Sequence, residues 1–170
     1  MIFTVGHSTR PIEEFIALLV ENGVDLLVDV RTVPRSRKNP QFNADALPQA
    51  LAAHGIGYRH LAALGGLRHS QGSASPNGAW RNESFRNYAD YALTAPFRAG
   101  LEELRRLAAT NTVAIMCAEA VWWRCHRRII TDYLLAAGEA VTHIMAKGRT
   151  EPARPTPGSV VAAEGVVYPG

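Results

Sequence analysis

Two cysteines lie eight positions apart, Cys117 and Cys125, and each is followed by side chains able to assist a thiol. Cys117-Ala118-Glu119 supplies a sulfur and a carboxylate; Cys125-His126-Arg127 supplies a sulfur, an imidazole and a guanidinium. A cysteine attacks as its thiolate, which nearby cations and free backbone N–H groups favour. Cys117, Glu119, Cys125 and His126 therefore form the candidate catalytic set. Cys117 is the expected nucleophile or redox centre, Glu119 or His126 the proton carrier, and Cys125 a supporting residue. Plainer roles are open to the same residues. Free cysteine is a common core filler, and Glu119 suits a helix's first turn, where negative charge is favoured.

Cations define a second set. Arg31, Arg35, Arg37 and Lys38 fall within eight residues, and Arg124, Arg127 and Arg128 make another group. Guanidinium forks match phosphate and carboxylate oxygens, so an anion site and a pair of solvated basic faces both fit. Asp29 lies inside Leu26-Leu27-Val28-Asp29-Val30. A carboxylate buried there needs a partner, and Arg31 or Arg37 are at hand. With His7, Ser8, Arg35, Ser36 and Arg127, these form the candidate substrate-binding set for an anionic small molecule or nucleic acid.

The elements that would position them alternate between short apolar runs and helical periodicity, the pattern of βαβ units. Strands are expected at Ile2 to Val5, Leu26 to Val30, Tyr58 to Leu61, Thr112 to Met116 and Val141 to Met145, with a late one at Val166 to Tyr168. Helices are expected near 12–21, 44–54, 83–93, 96–109 and 122–137. The fold class is thus three-layer α/β, with a mostly parallel central sheet of about five to six strands flanked by helices. Residues 1–170 read as a single domain, with an irregular loop at about 65–82 and a Pro/Gly-rich tail from about 148 that can be partly mobile. Open α/β sheets bind ligands beyond the carboxyl ends of their strands. That rule collects His7, Ser8, Asp29, Arg31, Cys117 and Glu119 on one rim, and it places Cys117 before a helix start. On that helix Cys125 and His126 face inward.

Familiar motifs fit poorly. The spacing from Cys117 to Arg124 is one residue longer than in a tyrosine-phosphatase-like phosphate loop, and Trp122-Trp123 occupy positions that want small residues. A rhodanese-like sulfur carrier would explain Asp29-Val30-Arg31 and Cys117, but over a few residues only. Cys and His lack a standard zinc spacing. There is no Walker loop, GxGxxG or GxSxG.

Composition supports a packed core: 47% of residues are hydrophobic and 19% charged. A net charge of +3 and a pI near 9.1 are too mild to imply nucleic acid by themselves. No secretory leader and no membrane-length apolar run is visible, and two cysteines without an export signal point to a reducing, cytoplasmic setting.

Taken in order, Gly6-His7-Ser8-Thr9, Val28-Asp29-Val30-Arg31, Pro34-Arg35-Ser36-Arg37, Leu64-Gly65-Gly66, Cys117-Ala118-Glu119 and Cys125-His126-Arg127 resemble the bacterial domain-of-unknown-function family 488. The resemblance spans residues 2 to about 145. It implies a small cytoplasmic α/β protein with these motif residues as its site, and it leaves reaction, cofactor and oligomeric state open. Three readings follow: a cysteine-dependent transferase, hydrolase or redox enzyme acting on an anion; a non-catalytic nucleotide or nucleic-acid binding module with structural cysteines; and, more weakly, a metal site.

Overall fold

The computed structural model describes every residue except Ser73. Six strands build the main sheet: β1 (Ile2–Gly6), β2 (Leu26–Asp29), β3 (Gly57–His60), β4 (Val113–Cys117), β5 (Val141–Ala146) and β6 (Arg149–Pro152). Their spatial order is β3-β2-β4-β1-β5-β6. The first five strands are parallel, and β6 runs antiparallel to β5. Every residue of β1 and β4 is buried, as expected for strands covered on both faces.

Helices α1 (Ile12–Glu21) and α2 (Leu47–Ala52) cover one face; α3 (Glu83–Tyr91), α4 (Ala95–Thr110) and α5 (Arg127–Ala136) cover the other. Successive strand residues point to opposite faces. Ala114 and Met116 join Phe15, Leu19 and Leu51 in one core, while Val113, Ile115 and Cys117 join Tyr88, Phe97 and Ile129 in the second. The architecture is therefore the expected three-layer α/β sandwich. Each fully buried Leu, Ile or Phe contributes about 1.5–3 kcal/mol of transfer free energy to it.

The register aligns the carboxyl ends. Gly6 pairs with Cys117, Asp29 with Met116, and His60 with Asp29. Beyond them, His7 N–H donates to the Cys117 carbonyl at 2.9 Å and Ser8 N–H to that of Ala118 at 3.0 Å.

Three expectations change. The helix foreseen at 44–54 is shorter, preceded by a 3-10 turn at Pro40–Phe42. The helix foreseen at 122–137 begins only at Arg127: Trp122–Arg124 form a 3-10 turn and Cys125 is extended, with φ −138° and ψ 155°. Trp122 stacks flat on His143 with ring centroids 4.5 Å apart, which holds this stretch against β5 and out of a helix. The tail is built rather than loose. It supplies β6 and a hairpin of β7 (Val160–Ala162) and β8 (Gly165–Val167). After the hairpin, Tyr168 is buried, and its hydroxyl donates to Asp132 Oδ2 of α5 at 2.7 Å. Its N–H donates to Asn77 Oδ1 at 2.9 Å, so the tail also anchors part of the irregular 65–82 segment.

Tyr168→Phe keeps the ring and removes the donor, leaving a buried carboxylate short of one hydrogen bond. It is expected to destabilise the protein by about 1–2 kcal/mol, read as a lower urea midpoint with an unchanged m value.

Candidate active site

Cys117 ends β4 with its side chain turned toward α5, and Cys125 approaches from just before α5. Their Sγ atoms lie 2.6 Å apart, both as free thiols. Cys117 is 2% exposed and Cys125 7%. Because α5 starts at Arg127, its free N–H groups serve Cys125 rather than Cys117: Arg127 N–H donates to Cys125 Sγ at 3.4 Å.

Beside the sulfurs, Arg127 is buried, 1% exposed. Its guanidinium donates to Thr4 Oγ1 at 3.2 Å and to the carbonyls of Glu119 at 2.9 Å and Ala120 at 3.4 Å. Among the described residues no carboxylate pairs with it. A buried cation without a counter-ion is costly, and the acidic group beside it is a thiol. Burial alone would push the Cys125 thiol up, but the hydrogen bond from Cys117 and the charge and donors of Arg127 outweigh it and bring Cys125 down to about 7. Cys117 moves the other way, pushed well up by burial and by its bond to Cys125. The sequence reading, with a helix expected from about residue 122, had placed the activated thiol at Cys117.

His126 Nε2 lies 2.7 Å from the Val30 carbonyl, which can only accept, so the proton sits on Nε2. The bare Nδ1 then faces Cys125 Sγ at 3.5 Å. Burial lowers the His126 pKa, which keeps that nitrogen free. Gly66 makes the arrangement possible, since a Cβ there would lie 2.6 Å from His126 Nδ1. Gly6 has a similar role: a Cβ would collide with the Glu119 carbonyl that Arg127 holds.

The sheet's other face carries a buried ion pair. Arg31 Nε and Nη2 grip the two oxygens of Asp29 at 2.9 and 2.6 Å, and Nη2 also reaches the Phe42 carbonyl. Tyr58 OH donates to Asp29 Oδ2 at 2.6 Å. Of the two partners proposed for Asp29, Arg31 is the one used. His7 stacks on Phe42, holds its Nδ1 proton toward the Ser8 carbonyl at 2.8 Å, and offers Nε2 to Arg31 Nη1 at 3.5 Å.

A cleft of about 470 Å³ opens over the thiols. Cys117, Cys125 and His126 line it from below, Phe85 and Tyr88 form apolar wall, and Arg31, Arg35, Arg124 and Glu119 add charge. Arg35, Glu119 and Arg124 are exposed. Some expected residues lie elsewhere. Ser36 Oγ accepts from Asn39 N–H and so shapes its own loop; Arg37 is exposed outside the cleft; Ser8, with φ 48°, turns the chain after β1. Thr4 and Tyr58 were not in the expected set. Thr4 was detectable in principle, as the polar residue interrupting Ile2-Phe3-Thr4-Val5. Among the described residues, no group of three or more His, Cys, Asp or Glu side chains converges as a metal cage would require.

Fold and site together define a three-layer α/β protein with two thiols and an imidazole under a cation-edged cleft at the carboxyl rim of a parallel sheet. Residues 11–134 match the family described as Domain of unknown function DUF488, and the chain belongs to that family. The match includes Asp29 to Arg37 and Cys117 to Arg127, and leaves β1 with His7 and Ser8 outside. No curated protein and no solved structure matches the chain. No helix is long and apolar enough to cross a membrane.

Two stability tests follow. Asp29→Asn leaves Arg31 buried without its counter-charge and is expected to cost about 3–5 kcal/mol in urea unfolding. His143 accepts a hydrogen bond from Thr4 and is held neutral, its pKa lowered from 6.5 to about 4 by burial and by Arg127. The unfolded chain therefore binds the extra proton, so this contribution is complete above pH 6.5 and fades as pH falls toward 4. Urea midpoints measured across that window should decline with a shallower slope in His143→Gln than in the parent.

Proposed function

We propose that the protein is a cysteine-dependent enzyme in which the Cys125 thiolate is the nucleophile and the substrate is an anion. The observation that carries this reading is Arg127: a buried guanidinium with no paired carboxylate among the described residues, set against a sulfur that opens onto a cleft. Charge compensation favours the thiolate there, as it does at other activated cysteines. His126 Nδ1 takes or returns a proton at Cys125. Arg35 and Arg124 draw the substrate in, and Arg31, fixed by Asp29, adds a held cation to the cleft lining. Glu119 stands at the mouth as a second proton carrier. Phe85 and Tyr88 suit a substrate with an apolar or planar body, such as a nucleotide.

A non-catalytic nucleic-acid binding module is the second reading. It is favoured by Arg37 and Lys38, exposed on the same loop but outside the cleft. It requires strongly salt-dependent binding that survives replacement of both cysteines.

Alkylation with paired reagents decides the matter. Iodoacetamide should label Cys125 with an apparent pKa near 7 and well before Cys117. Iodoacetate, the anionic analogue, should gain on iodoacetamide in the native protein and lose that advantage in Arg35→Gln/Arg124→Gln, whose exposed positions spare the fold. A Cys125 profile at or above that of free cysteine, about 8.5, would sink the thiolate. Equal reagent ratios in parent and variant would sink the anion site.

A further inference from the structure

A nucleophilic enzyme needs one activated sulfur, yet here a second thiol touches the first. Cys117 Sγ and Cys125 Sγ are in direct contact, so side-chain movement alone can carry the pair to the bonded distance of about 2.05 Å. Both sulfurs line the cleft, and His126 Nδ1 is beside them. We infer that the pair is a two-electron thiol redox centre that reduces a hydroperoxide, with Cys125 as the attacking sulfur and Cys117 as the resolving one. The inference rests on the Cys125 thiolate proposed above.

The chemistry balances with two co-substrates. The Cys125 thiolate attacks the terminal oxygen of the hydroperoxide; an S–O bond forms, the O–O bond breaks, and the departing alkoxide takes a proton from water. Cys125 is then a sulfenic acid, and the nearest nucleophile is Cys117. As Cys117 attacks, the S–S bond forms and the S–O bond breaks. The Cys117 proton passes by way of His126 Nδ1 to the leaving hydroxide, which departs as water. The two sulfurs have lost two electrons and the hydroperoxide has gained them. A small dithiol entering the cleft restores thiol and thiolate by exchange and is itself oxidised to its disulfide.

The position of Cys117 explains its otherwise odd character. It is almost fully buried, with its Sγ against Cys125 Sγ and 3.5 Å from the Glu119 carbonyl rather than open to solvent. Such a thiol is slow to react with outside reagents but is already in place for a sulfenic acid on its neighbour. Closure traps a loop of only a few residues, 118–124, whose start is held by Arg127 through the Glu119 and Ala120 carbonyls. Little backbone rearrangement is therefore required for the bond to form or open.

The unmodified full chain can be used for the test, with hydrogen peroxide as oxidant and dithiothreitol as reductant. Trypsin cleaves after Arg106, Arg124 and Arg127, so residues 107–124 carry Cys117 and residues 125–127 carry Cys125. After peroxide and blocking of free thiols, these two peptides should be found joined, and dithiothreitol added before digestion should separate them. In Cys117→Ser, the 125–127 peptide should instead carry a sulfenic acid that dimedone traps, several-fold more than in the parent. Over-oxidised Cys125 beside free Cys117 in the parent would overturn the resolving role while leaving the thiolate intact. If neither cysteine is oxidised, the redox inference falls, and the alkylation profile then shows independently whether the thiolate reading falls with it.

Discussion

The guanidinium of Arg127 is the interaction on which the site depends. It spans from Thr4 on β1 to the Glu119 and Ala120 carbonyls in the connection between β4 and α5. One planar group thus ties the centre of the sheet to the segment that brings Cys125 back to Cys117. A lysine ammonium has no equivalent fork and could not hold acceptors from two elements in one plane. The desolvation of this cation must be offset locally. Carbonyl dipoles do part of it, and the proposed thiolate does the rest. Gly6 belongs to the same device, because only a residue without Cβ lets the Glu119 carbonyl sit over the end of β1.

Two buried charge systems occupy opposite faces of one sheet and meet at its rim. Asp29 points to the face covered by α1 and α2, whereas Cys117 points to the face covered by α3, α4 and α5. Alternation along adjacent parallel strands produces this division from a register in which Asp29 and Met116 are paired. Arg31 arises from the first system yet lines the cleft that belongs to the second. Its fork is clamped on Asp29 and the Phe42 carbonyl, so it differs from the exposed Arg35 and Arg124: its direction is set before any ligand arrives.

Much of the fold was legible because its signals are local. The apolar runs at Ile2, Leu26 and Thr112 and the helical spacing after Pro11 mark buried strands and an amphipathic helix without reference to the rest of the chain. The carboxyl-rim rule then collected His7, Asp29, Arg31 and Cys117 correctly at one edge. What escaped were non-local facts. Trp122 reads as helical until His143, twenty-one positions away, is known to stack on it, and that displacement moves the helix start from about residue 122 to Arg127. Hence the division of labour proposed for the sulfurs could not be read from spacing. Ser36 and Arg37 looked like ligand groups because they sit among cations, whereas neither lines the cleft and Ser36 Oγ accepts from Asn39 N–H within its own loop. The tail defeats periodicity for a related reason: its strands are short, and the partners of Tyr168 are Asp132 and Asn77, far off in sequence.

The outer strand β6 carries a consequence of another kind. A sheet's last strand leaves a row of backbone donors and acceptors open to any extended chain that passes. Here that strand is Arg149-Thr150-Glu151-Pro152, exposed throughout. Its two charges of opposite sign resist an apolar guest, and the proline lacks the N–H that continued pairing would use. The opposite border, β3, is short and has Arg59 tied to Glu103 at 3.0 Å. Both borders thus resist the sheet-to-sheet accretion through which parallel β-rich chains aggregate, and the protein can keep its central strands intensely apolar without inviting fibres.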